Sequence, residues 1–400
     1  MIHRVRRVLR DAGALCALGL VVGGCGAGGD GATPTVPKEF GTTRVARGGD
    51  VPDATRSHAF ARRPAQTPAA TREPARALER LVGQKLMVSY RGKVDPPPGL
   101  LDRIRRGQVG SVILFKENVP SDGAPGVRRN IRRLQDAARH GQNPPLLIAT
   151  DQEGGAVNRM PGPPDRSPRQ LGVQSTAAIR AAGRQTGRSL WRMGVGLDLA
   201  PVADLATGPS FLGDRTFSAD AERNVAASTA FAEGLQSSGV AATAKHYPGL
   251  GSAGQVNTDL AAVTVGVPRA ALDRERRGFI RHVDAGTRVV MVSNAVYRAY
   301  DRHRPAVASR TILDRLRTDG FQGVVISDDL NVPGLRRFAD KTARVVTNAG
   351  VDVLLFANSD GRSAYRALLS AARSSAVTRS LIRRQVRHII DLKRWIAGQS

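Results

Sequence analysis

Eight short apolar runs constrain the fold of this chain more than any other feature. They read LMVSY (86–90), SVILF (111–115), LLIATDQEGG (146–155), VGLDLAPVADL (195–205), ATAKHYPG (242–249), VVMVSNAVY (289–297), VVISDDL (324–330) and VDVLLFANS (351–359). Each is an unbroken Val/Ile/Leu/Ala stretch rather than an apolar–polar alternation, the pattern of strands covered on both faces, and mostly helical patterns separate them. Eight buried strands alternating with helices describe an α/β chain folded as one (β/α)8, TIM-type barrel. Such a barrel uses roughly 250 residues or more as a single unit, and the pattern fills 75–400 of the 400 residues. Side chains at the C-terminal ends of barrel strands gather at one mouth, so Asp151, Asp198, Asp204, Lys245, His246, Asn294, Asp328 and Asp329 are expected to converge there.

The N-terminus has a different character. A basic head, HRVRRVLR (3–10), precedes an apolar stretch (12–22) and then Val22-Gly23-Gly24-Cys25. The apolar stretch is too short to span a bilayer, and the arrangement is that of an export signal over 1–24. Val-Gly-Gly-Cys resembles the lipobox of bacterial lipoproteins, which makes Cys25 the lipidation site and places the protein on the outer face of the cell membrane through a lipid anchor. Cys16 lies in the removed segment, so the mature chain has no disulfide. Residues 25–74, rich in Gly, Ala, Thr, Pro and Arg, carry no sustained apolar periodicity and read as a flexible tether.

A formal charge of +26 favours anionic membranes, acidic wall polymers or nucleic acid as surroundings. Nucleic acid is the weakest of these, because aromatic residues make up only 4% of the chain and no recognised binding motif occurs. Only seven of the 60 basic residues are Lys, which points to a habit of using Arg on a solvated surface. The histidines have no paired metal-ligand spacing, and neither a phosphate loop nor a Gly-x-Ser-x-Gly elbow is found, so no metal or cofactor is expected.

Four places carry residues able to do chemistry. GVVISDDL (323–330) ends a buried strand in two carboxylates, of which only one faces the barrel axis easily because neighbouring strand residues alternate. That acid is able to attack an anomeric carbon; equally, it is able to cap a helix over 332–350. Lys245-His246-Tyr247-Pro248-Gly249 puts a cation and an imidazole together before a loop opening. Asp151, followed by Gln152-Glu153-Gly154-Gly155, suits sugar hydroxyls. Arg215 in GDRTFSAD is either a substrate clamp or an ion pair with Asp214 or Asp220.

Together, DQEGG, LDLAPVADL, GDRTFSAD, KHYPG and GVVISDDL, in this order, resemble the catalytic barrel of glycoside hydrolase family 3 over roughly residues 78 to 400, and above all its single-barrel bacterial β-N-acetylhexosaminidases. The resemblance implies retaining exo-hydrolysis that releases N-acetylglucosamine from peptidoglycan fragments or related β-linked glycans, without a cofactor, by a monomer. Asp328 matches the nucleophile, while Asp151, Arg215, Lys245 and His246 match sugar-binding positions; Asp204 is a further candidate for that pocket. Asn294 stands where relatives often have His.

The chain departs from this pattern after KHYPG. Relatives read Pro-Gly-His-Gly and then Asp-Ser/Thr-His, whose Asp-His dyad serves as acid/base; here the residues are Pro248-Gly249-Leu250-Gly251 and Asn257-Thr258-Asp259, with no histidine between His246 and His282. Asp259 is the substitute acid/base, on a loop given mobility by Gly249, Gly251 and Gly254. The alternatives are a turn-shaping Asp259 in a glycan-binding wall lipoprotein without efficient turnover, and a hydrolase of β-glucosides or another unacetylated glycan.

Overall fold

The computed structural model describes residues 75–399. The export signal over 1–24, Cys25 and the tether over 25–74 lie outside the described residues. Eight parallel strands form the barrel: β1 (Leu86–Val88), β2 (Ser111–Leu114), β3 (Leu147–Thr150), β4 (Leu197–Asp198), β5 (Ala241–Tyr247), β6 (Val289–Val292), β7 (Val324–Ser327) and β8 (Leu354–Phe356). Each apolar run supplies one of them. Consecutive strands pair from β1 through β7, and β8 pairs with β1 through Leu86↔Leu354. The bridge between Ile326 and Val353 draws β7 toward β8 and nearly completes the ring.

Strand parity explains why the runs are continuous rather than alternating. Met87, Ile113, Leu147, Ala149, Leu197, Val289, Met291, Val324, Ile326 and Leu355 face the barrel interior and form one buried cluster. Their neighbours Leu86, Val88, Val112, Leu114, Ile148, Val290, Val325 and Leu354 pack outward under the helices in another. Both faces therefore demand apolar residues, as in any helix-covered parallel barrel.

The floor is sealed by the last helix, Ala376–Ala397, which sends Ile389 and Leu392 into the interior cluster. Its buried Lys393 donates to Gln84 Oε1 at 2.6 Å and to the Gly110 carbonyl at 2.9 Å. Access to the interior is consequently from the other end, where the strands finish.

The expected helix over 332–350 takes another form. A 3-10 segment, Pro333–Lys341, precedes a helix over Thr342–Ala349, and no side chain caps either. Neither Asp328 nor Asp329 is a helix cap.

Candidate active site

Extending the inward parity of each strand by one step selects the residues at the mouth. On β3 the series 147, 149 continues to Asp151 and Glu153; on β7 the series 324, 326 continues to Asp328; on β5 it reaches Lys245. At the end of β5 the register with β6 shifts between Lys245 and Tyr247, and His246 lines the mouth beside Lys245. All five line one cavity of about 360 Å³, together with Arg215 and Asp259.

The side formed by β3 and β5 is a closed ionic cluster. Lys245 Nζ lies 2.7 Å from Asp151 Oδ1 and 2.6 Å from Glu153 Oε1. Arg215 grips Glu153 through Nε and Nη2, both at 2.8 Å. Burial alone raises a carboxyl pKa, yet Arg215 and Lys245 outweigh it and hold Glu153 far below the ordinary range. Burial likewise disfavours the Lys245 ammonium, and Asp151 and Glu153 overcome that, raising its pKa. Lys245 is thus a fixed cation and Glu153 a fixed anion, with Asp151 17% exposed toward the cavity.

Arg215 pairs with Glu153, not with the expected Asp214 or Asp220. Glu153 was not among the residues expected at the mouth, although it sits inside DQEGG on the same parity as Asp151.

Across the cavity the groups are less satisfied. Asp328 Oδ1 accepts the Asp329 backbone N–H at 2.8 Å, and among the described residues no cation bonds to its carboxylate. Burial raises its pKa to about 6; His246 opposes the shift and Asp259 adds to it. Asp329 also borders the cavity, but its carboxylate is engaged by the protein, accepting from Ala357 N at 3.1 Å and from Asn358 Nδ2 at 2.8 Å. The adjacent acids have separate jobs, as alternation requires.

Three residues expected at the mouth are withdrawn from it. Asp204, a candidate sugar ligand, is fully buried; Oδ2 lies 2.7 Å from His246 Nδ1, and Oδ1 accepts from His246 N and Leu250 N. Its oxygens are spent on fixing the imidazole and the following loop, so it positions His246 instead of meeting a sugar. Asp198 Oδ1 accepts Gln152 N at 2.9 Å, and burial raises its pKa to about 8. Asn294 donates to the Asp329 carbonyl at 2.8 Å.

Asp259 stands on a turn made by Asn257, whose side chain accepts Asp259 N at 2.8 Å. The carboxylate of Asp259 lines the cavity and is exposed, with no protein partner among the described residues. The glycines before it are not the expected hinges. A Cβ at Gly251 would stand 1.9 Å from the Leu205 carbonyl oxygen, and Gly249, at φ +133°, approaches Glu275; both are required by close packing. Gly254 alone of the three has open space around it.

A cavity with a fixed cation–anion cluster on one wall and an unpaired, partly buried carboxylate on the other is equipped to hold a polyhydroxylated ligand and attack it. Among the described residues no group of His, Cys, Asp and Glu is arranged to hold a metal ion.

The profile of the glycosyl hydrolase family 3 N terminal domain matches residues 79–392. The chain belongs to glycosyl hydrolase family 3. It is 38% identical over 315 residues to an uncharacterized secreted glycosyl hydrolase of Arthroderma benhamiae, covering 74% of this chain and 86% of that one. A β-hexosaminidase of Stenotrophomonas maltophilia is 34% identical over 270 residues, covering 64% and 78% respectively. The crystal structure of the β-N-acetylhexosaminidase from Beutenbergia cavernae superposes with a TM-score of 0.73 at 32% identity, over 79% of this chain and 98% of that one. This family 3 member is therefore a glycoside hydrolase with β-hexosaminidase homologues, and its barrel is the family's N-terminal domain.

Proposed function

We propose that the protein is a retaining exo-β-glycosidase that removes β-linked N-acetylglucosaminyl residues from peptidoglycan or related wall glycans. One observation carries this reading: Asp328 presents an unpaired carboxylate to the cavity while the neighbouring cations are taken by Asp151 and Glu153. A carboxylate free of a cation keeps its lone pairs for carbon. The names of the bacterial homologues support the choice of sugar.

In this cycle Asp328 attacks the anomeric carbon, the bond to the leaving oxygen breaks, and that oxygen takes a proton from Asp259. Asp259 then takes a proton from water, whose oxygen attacks the same carbon and releases Asp328, so that configuration is retained. Asp151, Lys245 and His246 hold sugar hydroxyls, Arg215 locks Glu153 beneath them, and Asp204 orients His246. Retaining chemistry requires the two carboxyl groups about 5 Å apart, and the Asn257 turn holds Asp259 on the same cavity that Asp328 lines. Export and anchoring through Cys25 rest on the N-terminal pattern, and export also on the relative named as secreted.

The exposure of Asp259 favours a second reading, a wall-glycan binder with little turnover. The deciding measurement is hydrolysis of an aryl N-acetyl-β-D-glucosaminide by the wild type, Asp328→Ala and Asp259→Ala, with and without azide. The glycosidase reading expects loss in both variants and azide rescue in Asp259→Ala, with a β-glycosyl azide as product. A folded wild type that binds wall fragments yet cleaves no aryl glycoside establishes the binder.

A further inference from the structure

We propose that Arg103 is the centre of an oxyanion subsite beside the catalytic mouth, which takes a carboxylate or phosphate group carried by the glycan being cleaved. A second cavity of about 370 Å³ lies there, and Arg91 and Asn358 line both it and the catalytic cavity. Arg103 also lines it and is only 3% exposed. Its Nη1 donates to the Asp360 carbonyl at 2.5 Å, whereas Nε and Nη2 are buried without a partner.

Those two nitrogens form the edge of a guanidinium that grips an oxyanion with two parallel N–H bonds, and because both are covered in this structure the side chain must turn to bring that edge into the cavity. The same pair on Arg215 holds Glu153 at 2.8 Å, so the molecule shows what this edge does when it meets a carboxylate. At Arg103 no protein carboxylate among the described residues serves that purpose. Asp360, the acid of this cavity, directs its carboxylate to Arg362, at 2.6 Å from Nε and 3.0 Å from the backbone N.

Charge agrees with geometry. The cavity carries Arg91, Lys93, Arg103 and Arg362 against Asp360 alone. Arg91 pairs with Glu117 at 2.5 Å, but the exposed Lys93 ammonium has no partner among the described residues. Burying a guanidinium without a counter-ion is costly, and a bidentate oxyanion removes that cost. The shared wall makes the glycan the source of the anion: a substrate whose reacting sugar occupies the catalytic cavity has its substituents next to Arg91 and Asn358.

That source rests on the glycosidase reading, whereas the subsite itself does not. The test titrates inorganic phosphate into the full chain at constant ionic strength, following heat or thermal shift, for the wild type, Arg103→Gln, Arg103→Lys and the surface variant Lys93→Gln. Loss of the bidentate edge should weaken phosphate binding by about tenfold or more in both Arg103 variants, and loss of the exposed cation by about threefold. In parallel, kcat/KM is compared for a neutral aryl glycoside and for a disaccharide bearing a carboxylate on its leaving sugar. Arg103→Gln should leave the first unchanged and lower the second about tenfold.

Absence of phosphate binding by the folded wild type, or equal binding by wild type and all variants, overturns the subsite. Phosphate binding that depends on Arg103 without discrimination between the two glycosides overturns the glycan as source and assigns the subsite to a free anion. A wild type inactive on every glycoside defeats the glycosidase reading, and the phosphate titration still decides the subsite. If Arg103→Gln fails to fold, Arg103→Lys and Lys93→Gln decide between these outcomes.

Discussion

The two walls of the catalytic mouth are built on opposite electrostatic plans. Between β3 and β5, Asp151, Glu153, Lys245 and Arg215 neutralise one another through contacts of 2.6 to 2.8 Å. Along β7, Asp328 faces the cavity with no cation bonded to it among the described residues, and another acid, Asp259, acts on it electrostatically. The first wall gains from being completed and the second is held incomplete. A fixed charge cluster orients hydroxyls reproducibly, while a carboxylate with a raised pKa is poised to react. The site therefore divides positioning from reactivity by strand.

The comparison is broken most severely at Asp328. Asp328→Asn should lower kcat on an aryl N-acetyl-β-glucosaminide by roughly 10³-fold or more. The same change removes a charge that the fold disfavours, so Tm at pH 7 should rise by about 2 °C. In the wild type the ionised carboxylate is the active form, so kcat/KM should fall about tenfold per unit as pH drops below about 6. A lowered Tm in Asp328→Asn would mean that the two walls are not opposites.

Glu153→Gln probes the completed wall and should do the reverse. Arg215 and Lys245 are left buried with reduced compensation, at a cost of about 3 kcal/mol in urea unfolding. A loss below about 1 kcal/mol would place Glu153 among ordinary surface pairs.

The smallest effect lies under the loop between the walls. Glu275 is buried against Gly249 and accepts a hydrogen bond from Ser252, and burial raises its pKa from 4.5 to about 7. The folded chain thus holds this proton more tightly than the unfolded chain, so the contribution of Glu275 to stability declines as pH rises from 4.5 to about 7 and is level above that. Glu275→Gln should remove this slope, read as urea midpoints across pH. An unchanged slope would detach Glu275 from the loop.

All eight strands were legible in the sequence because a helix-covered barrel asks for apolar residues on both faces, a demand visible without contacts. Asp151, Lys245 and Asp328 were legible as mouth residues for the related reason that parity continues past a strand's last hydrogen bond. Side-chain partnerships across the barrel were not. Arg215 has two acids close by in sequence, Asp214 and Asp220, yet bonds to Glu153, 62 positions away. Asp204 looks like a mouth acid until its oxygens are seen to meet His246 and Leu250. Glycines present the same ambiguity, since freedom and close packing leave identical letters, and only the approach of Leu205 to Gly251 separates them.

The floor of the barrel has a consequence for how the chain is made. β1 pairs with β8 across 268 positions, and the helix that fills the bottom is the last described element. Until that helix leaves the ribosome, the nascent protein has strands with unpaired edges and an interior without its plug, a state exposed to aggregation and proteolysis. Assembly of such a barrel is governed by its slowest and most distant pairing. Lesions in Ile389 or Leu392 should accordingly appear first as poor yield of protein, before any defect in the sugar chemistry at the opposite end.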